Sequence, residues 1–403
     1  MVKKFKWLSI LVSVLVAGSL LFGCGTSNSS SNTGNTNSSA QTAGTLKIGV
    51  IAPLSGAAIG WGYAVLHGAE LAAGDVNAQG GLSVNGKKYN VKIIGYDSLY
   101  TAQGGVAAVN RLISEDKVKF IVGPISSAVL LAIQPITEPH KVILISDTYT
   151  SQALSKDKPY TFRVTPTTSE FSAPLIKWIA AQNPNAKKVA ILSPNDDTGT
   201  QVQGDNIKGY QTAGIQVAYH EFYDRNTTDF SSILSKIIAS GVDIIDADGS
   251  APATTGQIVK QARQLGFKGL LVKTGGPGTS DVIKVAGSYA DGFYYYTPMN
   301  PADPKQAAFE QKYSQKYKDT MNGLTPYFYD GTNMLFQAMQ AAGTIDDTEA
   351  VMKKLESIKD YPGLLGTLNW SGQDTYGINR QIITPTYIGE VKNGKETIVA
   401  KVQ

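Results

Sequence analysis

Cysteine occurs once and histidine three times in this 403-residue chain. A lone cysteine, Cys24, excludes a disulfide framework and every multi-cysteine metal motif. His67, His140 and His220 lie far apart and without ligand spacing; they fall on a helix, a pre-strand turn and a strand. No G-x-x-x-x-G-K-[ST] loop and no G-x-S-x-G elbow is present. The glycines Gly56, Gly60 and Gly62 follow a strand but depart from the dinucleotide fingerprint. These absences predict no metal, no cofactor and no catalytic group, so the chain reads as a binder and not an enzyme. Excess charge is scarce too. The net charge is +4, and Lys3, Lys4 and Lys6 contribute three of those charges within the first 23 residues. The nearly neutral remainder argues against a nucleic-acid partner.

What is present begins at the N-terminus. The three lysines precede a mostly apolar run from Trp7 to Phe22, 16 residues long. That is shorter than the roughly 20 residues a membrane-spanning helix needs. It reads as a signal peptide over residues 1–23. The run ends in Leu21-Phe22-Gly23-Cys24, which resembles the lipobox of bacterial lipoproteins, with Phe22 departing from the usual small residue. The resemblance implies cleavage before Cys24 and lipid on its thiol; an uncleaved signal anchor is the alternative. Residues 25–44 carry no charge and are almost entirely Ser, Asn, Thr and Gly. They cannot bury enough apolar surface to offset chain entropy. Residues 24–44 are therefore expected to form a disordered, lipidated tether with about 25 Å of typical reach. The folded part should be extracytoplasmic, held on the outer face of the cell membrane or in a periplasm.

Order is expected from Thr45. Strands are predicted at Leu46–Ile51, Val91–Tyr96, Phe120–Val122 and Val142–Ile145, alternating with helices over Tyr63–Val76, Val106–Ile113 and Leu130–Ile136. The pattern restarts at Lys188–Leu192 and continues through strands Val217–Tyr223, Asp243–Asp246 and Leu270–Val272, with helices between them. Tyr96-Asp97 at one strand end is echoed by Tyr223-Asp224. This predicts an α/β protein with two Rossmann-like parallel-sheet lobes. The tail holds helices at Lys305–Lys318, Tyr327–Ala342 and Thr348–Ile358 and strands at Leu364–Leu368, Ile382–Ile388 and Thr397–Val402. It is too short for a third lobe and must complete the two. The expected lobes are 45–166 plus 298–377 and 167–297 plus 378–403, joined by a multi-crossover hinge around a closing cleft.

Open parallel sheets bind ligands beyond the carboxyl ends of their strands. After the first strand come Gly56, Gly60, Gly62 and Trp61. After the third come Ser126 and Ser127, at a helix N-terminus whose free N–H groups suit a carboxylate. After the fourth come Asp147, Thr148, Tyr149 and Thr150. The second-lobe tips carry Asp196, Asp197 and Thr198, then Asp248 and Ser250, then Thr274, Gly275 and Gly276. Caps and turns use the same residue types; the recurrence of polar tips in both lobes favours a site. The run Tyr294–Tyr296 is read as alternating between sheet faces at a crossover.

The stretch K-I-G-V-I-A-P-L-S-G, the turn Asn77-Ala78-Gln79-Gly80-Gly81, Tyr96-Asp97-Ser98, Ile121–Pro124 and Gln261–Gly266 together resemble the branched-chain amino acid (Leu/Ile/Val) binding proteins of ABC transporters, of the type I periplasmic-binding-protein family. The similarity covers residues 45–390. It implies an interlobe site for an amino acid or a related small acid or amide, delivery to an ABC permease, and a monomer. A sensor that signals to a membrane partner is the alternative. Carried over position by position, it implies ligand contacts from Ser127 (or Ser126, one register away), Thr148, Thr150 and Trp61. In the second lobe Thr198 and Ser250 stand where the family has tyrosines. The family also places a glutamate after the Leu270–Val272 strand to meet an ammonium. Here Lys273-Thr274-Gly275-Gly276 stands in its place. Either Asp248 or Asp197 substitutes, or the ligand is not a standard amino acid.

Overall fold

The computed structural model describes residues 43–402. Cys24 and nearly all of the tether lie outside them. Along the chain come β1 (Gly44–Ala52), α1 (Ile59–Ala78), β2 (Leu82–Val84), β3 (Lys87–Asp97), α2 (Ala102–Ser114), β4 (Phe120–Val122), α3 (Ser127–Thr137), β5 (Ile143–Ser146) and β6 (Thr161–Arg163). Then follow α4 (Thr168–Gln182), β7 (Lys188–Pro194), α5 (Asp197–Thr212), β8 (Gln216–Tyr223), α6 (Ser231–Ala239), β9 (Ile244–Asp246), α7 (Pro252–Gln264), β10 (Leu270–Lys273), α8 (Thr279–Ala286) and β11 (Phe293–Thr297). The tail adds α9 (Pro304–Tyr317), α10 (Thr325–Ala342), α11 (Thr348–Glu356), β12 (Tyr361–Gly363), β13 (Gly366–Ser371), α12 (Gln373–Tyr376), β14 (Gln381–Ile383), β15 (Thr386–Lys392) and β16 (Lys395–Val402).

Two sheets result. One has nine strands in the order β12-β13-β14-β6-β5-β4-β1-β3-β2, the other seven in the order β16-β15-β11-β10-β9-β7-β8. The central pairs are parallel, as the strand–helix alternation predicts. Each sheet is covered on both faces, which is why its strands read as continuous apolar runs. Ile48 and Val50 of β1 pack toward α1 and α10, whereas Ile51 packs toward α2 and α3. In the second sheet Ala190 and Ile245 face one core, Val189 and Ile244 the other. Tyr295 and Tyr296 of β11 likewise point to opposite faces.

The chain passes between sheets three times, at residues 164–167, 298–303 and 384–385. The last crossing corrects the single strand expected at Ile382–Ile388. Thr384-Pro385 divides it, β14 stays in the first sheet and β15 joins the second. Proline donates no ladder hydrogen bond and restricts the residue before it, so a strand breaks there. The hairpin β2–β3, turning on Asn85-Gly86 with positive φ at both, was not expected, nor was α4.

The seam between α1 and α9 contains a titratable stack. His67 lies face to face with Tyr317 at 3.6 Å and with Tyr63 at 5.1 Å, and its Nδ1 is 2.8 Å from the Tyr313 hydroxyl. Burial, assisted by the Lys316 ammonium, lowers the His67 pKa to about 4. The folded state therefore keeps this ring neutral where the unfolded chain would protonate it. That stabilisation is present above pH 6.5 and is lost as pH falls toward 4. The prediction compares wild type with His67→Phe, which keeps the stack but cannot titrate. Thermal unfolding measured from pH 7 to pH 4 should show wild type losing stability relative to the variant across that window; parallel curves would refute it.

Candidate ligand-binding site

The carboxyl ends of both sheets face one another across the lobes, and most of the anticipated tips meet there. In the first lobe, α1 starts immediately beyond the loop that follows β1. At Gly62 any β-carbon would collide with the Pro53 carbonyl, so the loop can fold back on the helix only with glycine there. This places Trp61 in the first helical turn. Its indole N–H donates across the cleft to the Pro277 carbonyl at 2.5 Å.

Ser126 caps α3, its hydroxyl accepting from the Val129 N–H. Ser127, next in line, is the one turned to the site. Its N–H donates to the Thr198 hydroxyl of the second lobe at 3.2 Å, and its own hydroxyl accepts from the Thr150 N–H at 3.2 Å. The Thr148 hydroxyl is buried and has no partner among the described residues. Tyr149 packs edge-on against Phe171. Asp147 accepts from the Thr165 hydroxyl at 2.5 Å, and burial raises its carboxyl to about 7.

The turn Thr148–Thr150 is shaped from behind by Arg163, which has no exposed surface. One guanidinium nitrogen donates to the carbonyls of Thr148 at 3.1 Å and Thr150 at 3.0 Å. Its Nε donates to the Gln381 side chain. With both carbonyls held on one side, the rest of the turn is directed at the cleft.

In the second lobe, Asp196 caps α5 by accepting from the Gly199 N–H and pairs with Arg225. Thr198 thereby reaches Ser127. Asp197 lies exposed in the first turn of α5. Asp248 is fully buried and packs against Gly275, where an added β-carbon would sit 3.0 Å from its Oδ1. Burial and the neighbouring Asp246 push its carboxyl well up. Ser250 accepts from the Tyr223 hydroxyl at 2.6 Å, within its own lobe. At Gly276, with φ of +69°, a β-carbon would stand 2.8 Å from the Trp61 ring and 3.5 Å from the Tyr149 hydroxyl. That loop presents bare backbone to the first lobe.

Four side chains escaped the reading of the tips. Tyr100, just past β3, stacks near Trp61 with ring centroids 6.2 Å apart. Arg225 lies 4.4 Å over the Tyr100 ring. Lys273 places its Nζ 4.8 Å over the Trp61 ring. Arg163 is the fourth. The echo of Tyr96-Asp97 in Tyr223-Asp224 was the usable signal, since Tyr100 and Arg225 follow those two strand ends. A cavity of about 180 Å³ opens beside them, lined by Ser55, Gly56 and Tyr100 on one side and Tyr223, Arg225 and Thr254 on the other. No group of three or more His, Cys, Asp or Glu suited to a metal occurs among the described residues.

The sequence model described as Periplasmic binding protein matches residues 45–396. The chain belongs to the periplasmic binding protein family. Its members are binding proteins and not enzymes, and the fold here is the family's type I fold. This periplasmic binding protein is 26% identical over 306 residues to a leucine-, isoleucine-, valine-, threonine- and alanine-binding protein of Pseudomonas aeruginosa, spanning 75% of this chain and 80% of the relative. Among solved structures it is similar to a leucine binding protein LivK of Thermotoga maritima (TM-score 0.77, 24% identity, 89% of this chain and 99% of that one). A solute binding protein of R. palustris in complex with benzoate is similar too (TM-score 0.76, 17% identity, 89% and 96%).

The Arg163 arrangement is testable. Arg163→Met leaves the two carbonyls without their donor and should lower unfolding stability by roughly 2–3 kcal/mol. Urea unfolding measures it, and an unchanged midpoint would refute the role assigned to the guanidinium.

Proposed function

We propose that this protein is the extracytoplasmic receptor of an ABC importer. It works as a monomer, encloses an amino acid or a related small carboxylate or amide between its lobes, and delivers it to a membrane permease. The observation that carries this is the meeting of the α3 N-terminus with the Thr148–Thr150 turn. The Ser127 N–H and the buried Thr148 hydroxyl converge there with Trp61 and Tyr149 alongside. Helix N-terminal N–H groups and hydroxyls suit a carboxylate, and the aromatic faces suit an apolar remainder. The second lobe supplies Thr198 and the Gly275–Gly276 backbone as a cap. The binding partners named for the relatives, branched-chain amino acids and benzoate, are of this chemical kind. Closure around the ligand converts its contacts with both lobes into a shift of population, which a permease can read.

Calorimetric titration with amino acids, small carboxylates and amides should find a ligand below millimolar concentration; none in all three classes would sink the reading. Ser127→Ala combined with Thr150→Ala should abolish that binding while thermal unfolding stays near wild type. Retained binding would place the site elsewhere.

The tether is part of the same proposal. Cys24 carries the lipid and residues 25–44 act as a leash. In cells fed a labelled fatty acid, Cys24→Ser should lose the label and move the protein from the membrane to the soluble fraction. Persistent labelling would refute the assignment.

A further inference from the structure

Lys273 ends β10, at the carboxyl edge of the second sheet that faces the first lobe. It is 2% exposed, and its Nζ has no hydrogen-bond partner among the described residues. The Trp61 ring of the opposite lobe lies beneath it, so the ammonium is aimed into the cleft. A ring face attracts a cation but gives its N–H groups no lone pair to bond. Two of the three nearby carboxylates are otherwise engaged. Asp246 accepts from the Tyr210 and Thr274 hydroxyls. Asp281 lies against the first turn of α1 at Gly60, bonded by Asn322 and within reach of Lys284. The third, Asp248, packs behind Gly275 with neither carboxylate oxygen partnered among the described residues, but burial and the neighbouring Asp246 push it toward its neutral form, in which it is a weak counter-charge for the lysine. Burial lowers the Lys273 pKa to about 7, so leaving its donors unmet is costly and an arriving anionic acceptor favours the charged form. A second ammonium brought to this point would add repulsion between like charges.

We propose that Lys273 is the second-lobe residue that discriminates among ligands, and that it selects small carboxylates lacking an α-ammonium, whose acceptor oxygen meets its Nζ. This rests on the reading of the cleft given above. The carboxylate stays with Ser127 and Thr148 of the first lobe. The position occupied by an ammonium in an amino acid is taken instead by a keto, hydroxyl or second carboxylate oxygen. Trp61 then serves the ligand's apolar part and the lysine together.

The test uses the full chain in detergent, titrated with leucine and with its α-keto acid. These share a carbon skeleton and exchange an ammonium for a carbonyl oxygen. Benzoate and 4-hydroxybenzoate complete the panel. The keto acid should bind at least about tenfold tighter than leucine, as expected when one partner meets the lysine and the other repels it. Lys273→Met and Lys273→Gln should each erase most of that preference, while cooperative thermal unfolding reports that the variants fold. Leucine binding as tightly as its keto acid overturns the proposal, and this comparison needs no variant. A preference that survives in both folded variants also overturns it. No binding by any of the four compounds overturns this proposal, while the reading of the cleft falls only if the wider titration with amino acids, carboxylates and amides also fails. Binding with leucine preferred overturns this one alone.

Discussion

The buried Arg163 guanidinium is the contact on which the geometry of the cleft depends. It stands at the end of β6, where the chain is about to leave the first sheet, and ties down the Thr148–Thr150 turn by its carbonyls. It is itself oriented by Gln381, whose amide donates to the Thr165 and Ile382 carbonyls. Those two residues flank the first and last crossings between the lobes. One planar cation thus links the turn that would hold a carboxylate to two of the strands on which the lobes move. A lysine, with one compact charge on a flexible stem, could not hold both carbonyls and the glutamine in fixed directions.

Across the cleft, charge and aromaticity are divided between the lobes. The first lobe supplies a shelf of rings, Trp61 beside Tyr100. The second supplies the cations, Lys273 over one ring and Arg225 over the other. Each pair spans the cleft and forms only when the lobes come together. Cation–π contacts of this sort contribute about 0.5–2 kcal/mol each, more as water is excluded. Arg225 is neutralised by Asp196 on its own lobe. Lys273 forms no ion pair among the described residues, and this asymmetry is what makes it chemically available.

Much of this was legible in the sequence because buried parallel strands write themselves as apolar runs. The eight strands expected before the tail and the three tail helices all stand in the structure. The candidate site was read through one rule, that ligands gather beyond strand ends. The structure places Trp61, Ser127, Thr148 and Thr198 at those ends, three of them bonded across the seam between the lobes and the Thr148 hydroxyl unpartnered among the described residues. The rule reads tips for small polar residues, so it passed over long side chains arriving from elsewhere. Lys273 belongs to the strand and not to the turn. It entered the reading only as the absence of an acid. Arg163 sits in a three-residue strand too short to show a period. At two further tips the structure separates like residues: Ser250 is bonded by Tyr223 within the second lobe, whereas the buried Asp248 carboxyl has no partner among the described residues. The division at Thr384-Pro385 could have been seen, since proline marks a break wherever it falls within a run.

The direction of β1 has a mechanical consequence. Gly44 lies at the end of the strand remote from the cleft and Ala52 at the end beside it, the two ends of an extended strand of nine residues. At about 3.3 Å per residue that is roughly 30 Å. Whatever holds the chain upstream of Gly44 therefore grips the molecule by its back, with the mouth at the far end of a stiff lever. Any hold on the start of the chain and the entry of a solute into the cleft are thereby kept at opposite ends of the first lobe.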